Sequence, residues 1–179
     1  MKYFIHTNSK QYLPAQVSRF NALKNRGVEE VTILKVEDYL DLEKLNGKSY
    51  LRNGRKIKWF KDDLQSFTLL RFLIPEICKF EGYALLTDPD VFLLKDYSQI
   101  CSKYNGYDLV SRRIIKPDRN YLESSILIFN NDKFKKFEFH QIIEDLFNFK
   151  IDYKELIHLN FFIDQGIKVH EAEEIFNCF

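Results

Sequence analysis

Two carboxylates two residues apart, Asp88 and Asp90, follow directly on the apolar run Tyr83-Ala84-Leu85-Leu86-Thr87 and are followed without a break by Val91-Phe92-Leu93-Leu94. In an extended chain residues two apart project to the same side, so both side chains can address one ligand. Like charges that close repel, and burying them is costly unless a cation neutralises them. Hard divalent ions such as Mn2+ or Mg2+ take carboxylate oxygens and fill their remaining positions with water and phosphate. Asp88-Pro89-Asp90 also reads as a solvated turn, but the apolar runs on both sides favour a metal site at a strand end.

The other reactive side chains are sparse. Cys78, Cys101 and Cys178 are an odd number without C-x-x-C spacing, which excludes a disulfide framework and a thiolate zinc site and leaves buried reduced thiols. His6, His140, His158 and His170 lack the i, i+4 spacing of a helical zinc site. Residues 1 to 61 hold 13 Lys/Arg against 6 Asp/Glu (+7), and the rest hold 14 against 20 (−6), so the net charge of +1 conceals two opposed halves. Lys44, Lys48, Arg52, Arg55, Lys56, Lys58 and Lys61 fall in one stretch that contains no acid. That stretch is either a solvated polar loop or one that meets phosphate or an anionic acceptor. Nucleic acid is a weak third choice for it, because the whole chain is not basic, and no nucleic-acid partner is expected.

These groups must be positioned by a folded domain. The chain has 179 residues, 45% of them hydrophobic, with 17 Phe and 10 Tyr, enough for an aromatic core and against disorder. No apolar run reaches the roughly 20 residues of a membrane span, and the polar start is no signal peptide. A soluble, cytoplasmic protein is expected, with peripheral membrane contact and oligomeric state left open. Lys2 to His6 reads as a buried strand ending in Thr7-Asn8-Ser9. Leu13, Val17, Phe20 and Leu23 recur at helical spacing, with Gly27 as a C-cap. Val31 to Val36 is a second strand, and residues 44 to 61 form a long loop or hairpin. Leu64 to Ile77 is apolar on every face, a buried helix that Pro75 ends or kinks. Asp108 to Ser111 and Ser125 to Phe129 are further strands, and Phe139, Ile142, Ile143, Leu146 and Phe147 mark one face of a helix. Strands alternating with helices predict a single α/β domain over 1–179, with a mostly parallel central sheet flanked by helices.

In that context Tyr83 to Val91 resembles the D-x-D strand of nucleotide-sugar glycosyltransferases with the Rossmann-like GT-A fold. Ser66 to Glu76 resembles the helix that precedes this motif in the retaining family-8 type, with Arg71 matching an arginine that approaches the nucleotide and the acidic pair. Tyr121-Leu122-Glu123-Ser124-Ser125-Ile126-Leu127-Ile128-Phe129-Asn130 resembles the strand whose start contacts the donor sugar, and Phe162-Ile163-Asp164-Gln165 the Asp-Gln pair beside the anomeric carbon. His6-Thr7-Asn8 stands where the family holds base and ribose.

The resemblance implies a metal-dependent transferase moving a sugar from a nucleotide-diphosphate donor, a UDP-sugar, to a glycan, lipid-linked or protein acceptor. Asp88 and Asp90 would hold Mn2+ or Mg2+. His6, Thr7, Asn8, Arg71, Asp88, Glu123 and Ser124 would bind the donor. Asp164 and Gln165 would be catalytic, Asp164 supplying electron density to an oxocarbenium-like sugar, with retention at the anomeric carbon by front-face attack. Glu123 replaces the family's small polar residue, and the later His-containing segment has no match before Phe179, so a domain lacking the C-terminal acceptor segment is expected.

Other readings of the same residues remain. Arg71 would equally pair with Glu76 or Asp63, and Asp164-Gln165 would equally be a solvated helix end. A non-catalytic GT-A-like nucleotide- or glycan-binding module keeps the site without the chemistry. A phosphatase of the haloacid dehalogenase type ranks low, because its motif sits near the N-terminus before a Thr and a Gly-containing loop.

Overall fold

A computed structural model describes residues 1–94 and 96–172. In chain order its elements are β1 (Lys2–Thr7), α1 (Tyr12–Leu23), β2 (Thr32–Lys35), α2 (Leu40–Glu43), β3 (Ser49–Arg52), β4 (Arg55–Lys58), a 3-10 helix (Ser66–Leu73), α3 (Ile74–Ile77), β5 (Tyr83–Thr87), α4 (Tyr97–Lys103), β6 (Leu109–Lys116), β7 (Arg119–Asn130), α5 (Phe139–Phe147), α6 (Tyr153–Ile157), α7 (Asn160–Asp164) and β8 (Val169–Glu171). Six strands form one sheet in the order β2-β1-β5-β7-β6-β8, while β3 and β4 make a separate hairpin. β1 runs parallel to β2 and β5, β6 runs parallel to β8, and β7 alone is antiparallel to its neighbours. The expected mostly parallel α/β sheet is therefore what forms. Among the described residues no helix is long and apolar enough to cross a membrane.

Both sheet faces are covered, so the central strands are continuous apolar runs rather than alternating ones. Phe4, Ala84, Leu86, Leu127 and Phe129 point into one core, which the 3-10 helix, α3, α5, α6 and α7 close. Tyr3, Ile5, Leu85, Ile126 and Ile128 point into the other, closed by α1 and α4. α5 buries Phe139, Ile142, Ile143 and Leu146, as its spacing predicts. Cys78 is buried and Cys101 half-buried, both as free thiols; Cys178 lies outside the described residues.

Three local expectations change. The apolar segment before β5 is a fully buried 3-10 helix followed by one α-turn, and Pro75 sits at the start of that turn, where its missing N–H costs nothing. α1 does form, but it meets the sheet through Ala15, Ser18 and Ala22, and its stripe of Leu13, Val17, Phe20 and Leu23 faces solvent. Small residues allow the helix to approach β1 and the loop after β5, where Ser18 Oγ donates to the Val91 carbonyl. The helix also ends before Gly27, whose φ of 87° instead turns the chain against Ser98.

Candidate active site at the carboxyl ends of β1 and β5

The chain leaves β1 for β2 on one side and returns to β5 on the other, so a topological switch point lies between β1 and β5. Ligands in open α/β sheets bind outside the carboxyl ends of strands at such a point. His6 comes from the end of β1 and Asp88 from the residue after β5. Their registers adjoin, since Ile5 pairs with Thr87.

Asp88 is the centre of a network. His6 Nε2 lies 2.5 Å from its Oδ1, and Arg71 Nη2 donates to Oδ1 at 2.6 Å and to Oδ2 at 2.9 Å. Arg71 Nη1 donates to Ser124 Oγ, and His6 Nδ1 faces the Phe67 carbonyl at 3.1 Å. Arg71 therefore pairs with Asp88 and with neither Glu76 nor Asp63; Glu76 accepts from the backbone of Phe139. Burial pushes the Asp88 carboxyl up, but the Arg71 guanidinium and His6 outweigh it and hold the group below the usual carboxylate range. Burial pulls His6 below its ordinary value, the contact with Asp88 opposes this, and the Arg71 charge reinforces it. A carboxylate and a carbonyl only accept, so both ring nitrogens of His6 face acceptors, while the Arg71 Nε–H also points at Nε2 from 3.5 Å.

The sheet itself delivers Ser124. Between β6 and β7 the register jumps from Ser111–Leu127 to Arg112–Glu123, leaving residues 124 to 126 as a bulge. The bulge turns Ser124 towards Arg71 and aims the Ser125 carbonyl at the Asp88 amide, 2.8 Å away. Bulges are a common means of re-aiming a side chain beside a site. Glu123 Oε2 is buried there with no hydrogen-bond partner among the described residues.

Asp90 joins Asp88 by a turn rather than by strand alternation: Val91 N–H donates to the Asp88 carbonyl at 3.2 Å. Both carboxylates line a cavity of about 160 Å³ with Gln11, Gln65, Phe67, Thr68, Arg71, Tyr153 and Ile157. Gln65, Thr68 and Tyr153 are also a wall of a neighbouring cavity of about 240 Å³, reached by Tyr50, Arg52, Trp59 and Asp63. Trp59 is buried there, and its Nε1 has no partner among the described residues. Two larger hollows of about 670 Å³ lie elsewhere, one along β1 and α4 and one between α2 and α5, and neither contains Asp88 or Asp90.

The basic stretch is the hairpin β3–β4 with its flanks. Asp152, which caps α6, accepts from the backbone N–H groups of Asn53 at 3.1 Å and Gly54 at 2.8 Å and so ties the hairpin tip to the helix that carries Tyr153. The same carboxylate forms a capping box with Glu155. Gln11, Gln65, Thr68 and Tyr153 were not singled out from the sequence. Only the Asp152-x-x-Glu155 spacing gave a signal, a helix start that would have placed Tyr153 on α6.

Several expected site residues are not brought to the cavity. Thr7 and Asn8 are fully buried. The Asn8 amide donates to the Asp63 and Leu64 carbonyls and to Ser66 Oγ, fixing residues 63 to 66 rather than facing a base and ribose. Asp164 and Gln165 are exposed at the end of α7, with Lys136 Nζ donating to the Gln165 carbonyl. The chain then enters β8 level with Leu109, at the amino end of β6. Since β6 is parallel to β5, that is the rim opposite Asp88. The Asp-Gln pair expected beside the anomeric carbon thus precedes a strand that starts at the rim opposite the acidic pair, and it does not line the Asp88 cavity.

A carboxylate offers about four lone-pair sites. Arg71 and His6 occupy both on Oδ1, and Arg71 takes one on Oδ2. Oδ2 thus keeps one free, and Asp90 makes no hydrogen bond or ion pair with any described residue. No cluster of three His, Cys, Asp or Glu side chains forms a closed metal site among the described residues. The residues fit a hard cation that takes two carboxylates and completes its shell with phosphate and water, and they do not fit an all-protein cage.

No family model matches the sequence, and no curated protein is similar to it in sequence. Solved structures are similar in fold. Mouse xyloside xylosyltransferase 1 in its apo form shares 8% identity at a TM-score of 0.57, the match covering 96% of this chain and 84% of that one. Apo GlyE of Streptococcus pneumoniae TIGR4 shares 16% at 0.60, covering 96% of this chain but only 45% of its own. The galactosyltransferase LgtC in complex with donor and acceptor sugar analogues shares 14% at 0.58, covering 94% and 73%. At such identities the likeness is one of architecture, and with the switch-point site it gives one conclusion: the chain has the fold of the GT-A-type glycosyltransferases.

Proposed function

We propose that the protein is a glycosyltransferase that takes a sugar from a nucleoside-diphosphate donor, a UDP-sugar, and passes it to a hydroxyl acceptor. The observation that carries this reading is the pair Asp88 and Asp90 lining one cavity, with Arg71, at the β1/β5 switch point. A divalent cation, Mn2+ or Mg2+, held by Asp88 Oδ2 and Asp90 together with diphosphate oxygens and water, would supply Lewis-acid stabilisation of the leaving diphosphate. Arg71 and His6 hold Asp88 ionised in one rotamer, so the carboxylate is preorganised. The Gln65 amide, the Gln11 amide that also donates to the Leu64 carbonyl, and the mutually hydrogen-bonded hydroxyls of Thr68 and Tyr153 line the cavity and could orient ligand hydroxyls with their remaining capacity. Arg52, on the hairpin, lends positive charge to the adjoining cavity and suits an anionic acceptor or phosphate. The proposal carries no stereochemical course, since Asp164 and Gln165, on which retention rested, stand at the other rim.

The full engagement of Asp88 Oδ1 by Arg71 and His6 supports a second reading, a binding module that holds a nucleotide sugar without transferring it. One experiment separates the two. The melting temperature is measured with Mn2+, with UDP and with both, and UDP release is then followed with a panel of UDP-sugars. A rise that needs both ligands, with slow UDP release, supports the transferase. A rise without UDP release from any donor supports the module, and an unchanged melting curve at saturating ligand overturns both.

A further inference from the structure

The face of α1 turned away from the protein is the apolar one. Leu13 is 69% exposed, Val17 47%, Phe20 61% and Leu23 42%, on a helix whose inner face is Ala15, Ser18 and Ala22. A helix that packs on a sheet ordinarily presents its polar side to water. Here large side chains occupy the outer pole, where no contact within the described chain explains them. Cations frame them. Lys24 Nζ sits 4.1 Å above the Phe20 ring and Lys35 Nζ 5.2 Å from the Tyr12 ring, and Lys10 and Arg19 are exposed on the same segment. Residues 1 to 28 contain five Lys/Arg and no Asp or Glu.

We infer that α1 is a membrane-docking element that lays Leu13, Val17, Phe20 and Leu23 into the headgroup layer of an anionic lipid bilayer. Apolar side chains rimmed by Lys and Arg are the chemistry of a helix lying in that interface: the side chains enter the acyl boundary while the cations stay with the phosphates. A second copy of the chain is the poorer occupant. A two-fold contact through this face would set the cations of one copy, Lys10, Arg19 and Lys24, against those of the other. The four exposed side chains also offer on the order of 400 Å², about half of what each partner of a stable complex buries. Gln11, the residue before α1, lines the Asp88 cavity, so docking holds that cavity beside the headgroups. A membrane-carried acceptor is the substrate class this favours, a consequence that rests on the transferase reading, whereas the docking does not.

The test is co-sedimentation of the full chain with vesicles of phosphatidylcholine alone and of phosphatidylcholine with phosphatidylglycerol. Binding to the anionic vesicles is expected, weakening as salt is raised, with little binding to the neutral ones. The double variant Leu13→Ser/Phe20→Ser should lose about a hundredfold in partitioning, and Lys10→Glu/Lys24→Glu at least about thirtyfold. Both should keep the wild-type melting temperature, because the altered side chains are exposed. Failure of the wild type to bind anionic vesicles, or unchanged binding by the apolar variant, overturns the inference. So does concentration-dependent self-association that Leu13→Ser/Phe20→Ser abolishes, which would make the face a contact between copies. None of these arms uses a nucleotide, so the transferase reading stands or falls separately.

Discussion

Arg71 grips both carboxylate oxygens of Asp88 through one nitrogen, at 2.6 Å and 2.9 Å, across 17 residues of sequence. The arginine comes from a buried 3-10 helix and the aspartate from a strand end, so the pair fastens one core to the rim of the sheet as well as setting the charge of the site.

Removing one partner strands the other. Arg71→Ala leaves a part-buried carboxylate without its guanidinium partner, and a destabilisation of about 3 kcal/mol is expected from urea unfolding. Asp88→Asn should cost less, since the amide still accepts from Arg71, but it should abolish the joint effect of Mn2+ and UDP on the melting temperature. A wild-type response in Asp88→Asn would show that the carboxylate is structural only.

Asp90 separates binding from folding more cleanly, because it is exposed and makes no hydrogen bond or ion pair with a described residue. Asp90→Ala should leave unliganded stability within about 0.5 kcal/mol of wild type. It should weaken Mn2+-dependent UDP binding at least tenfold in titration calorimetry.

Asp164→Asn and Gln165→Ala test the placement of α7. Both residues lie on the rim opposite Asp88, so UDP binding and any UDP release should match wild type. A hundredfold loss of UDP release with unchanged UDP affinity would show that the C-terminal half reaches the site after all.

Acid should destabilise the unliganded protein in two steps. The folded pKa of His6 is depressed, so its contribution is present above the unfolded value near 6.5 and is lost as pH falls from there towards the folded value. The folded pKa of Asp88 is also depressed, so its contribution is present above about 4 and fails at lower pH. Chemical denaturation at a series of pH values in EDTA should show stability falling below pH 6.5 by at most about 1.4 kcal/mol per pH unit for the single histidine. A variant His6→Gln should flatten the curve below pH 6.5, and an identical slope in that variant would place the proton elsewhere.

Asp152→Ala removes a helix cap and the anchor of the hairpin tip together. A loss of about 1 kcal/mol follows from the cap, and cleavage by trypsin at Arg52, Arg55, Lys56 or Lys58 should accelerate. Melting and timed digestion check the two effects separately.

Sequence alone determined the features that depend on neighbours along the chain. The apolar runs of β1 and β5 read as buried strands because both sheet faces are covered, and the spacing in α5 gave its inward face. Asp88 and Asp90 were legible because a polar pair bounded by apolar residues has few other places to sit. Tertiary structure decided whatever depended on which partner a segment met. α1 has a perfectly good apolar stripe, yet the close approach to β1 and the loop after β5 selected its small residues instead, and periodicity carries no information about which face is covered. Asn8 and Thr7 were polar residues at a strand end, and Arg71 a lone cation in an apolar segment. Only the packed chain assigned the first to holding residues 63 to 66, the second to burial and the third to Asp88. Asp164 and Gln165 kept a familiar spacing in sequence, but the direction of β8 beside β6 put them on the far rim, because a pair of residues has chemistry only where the fold delivers it.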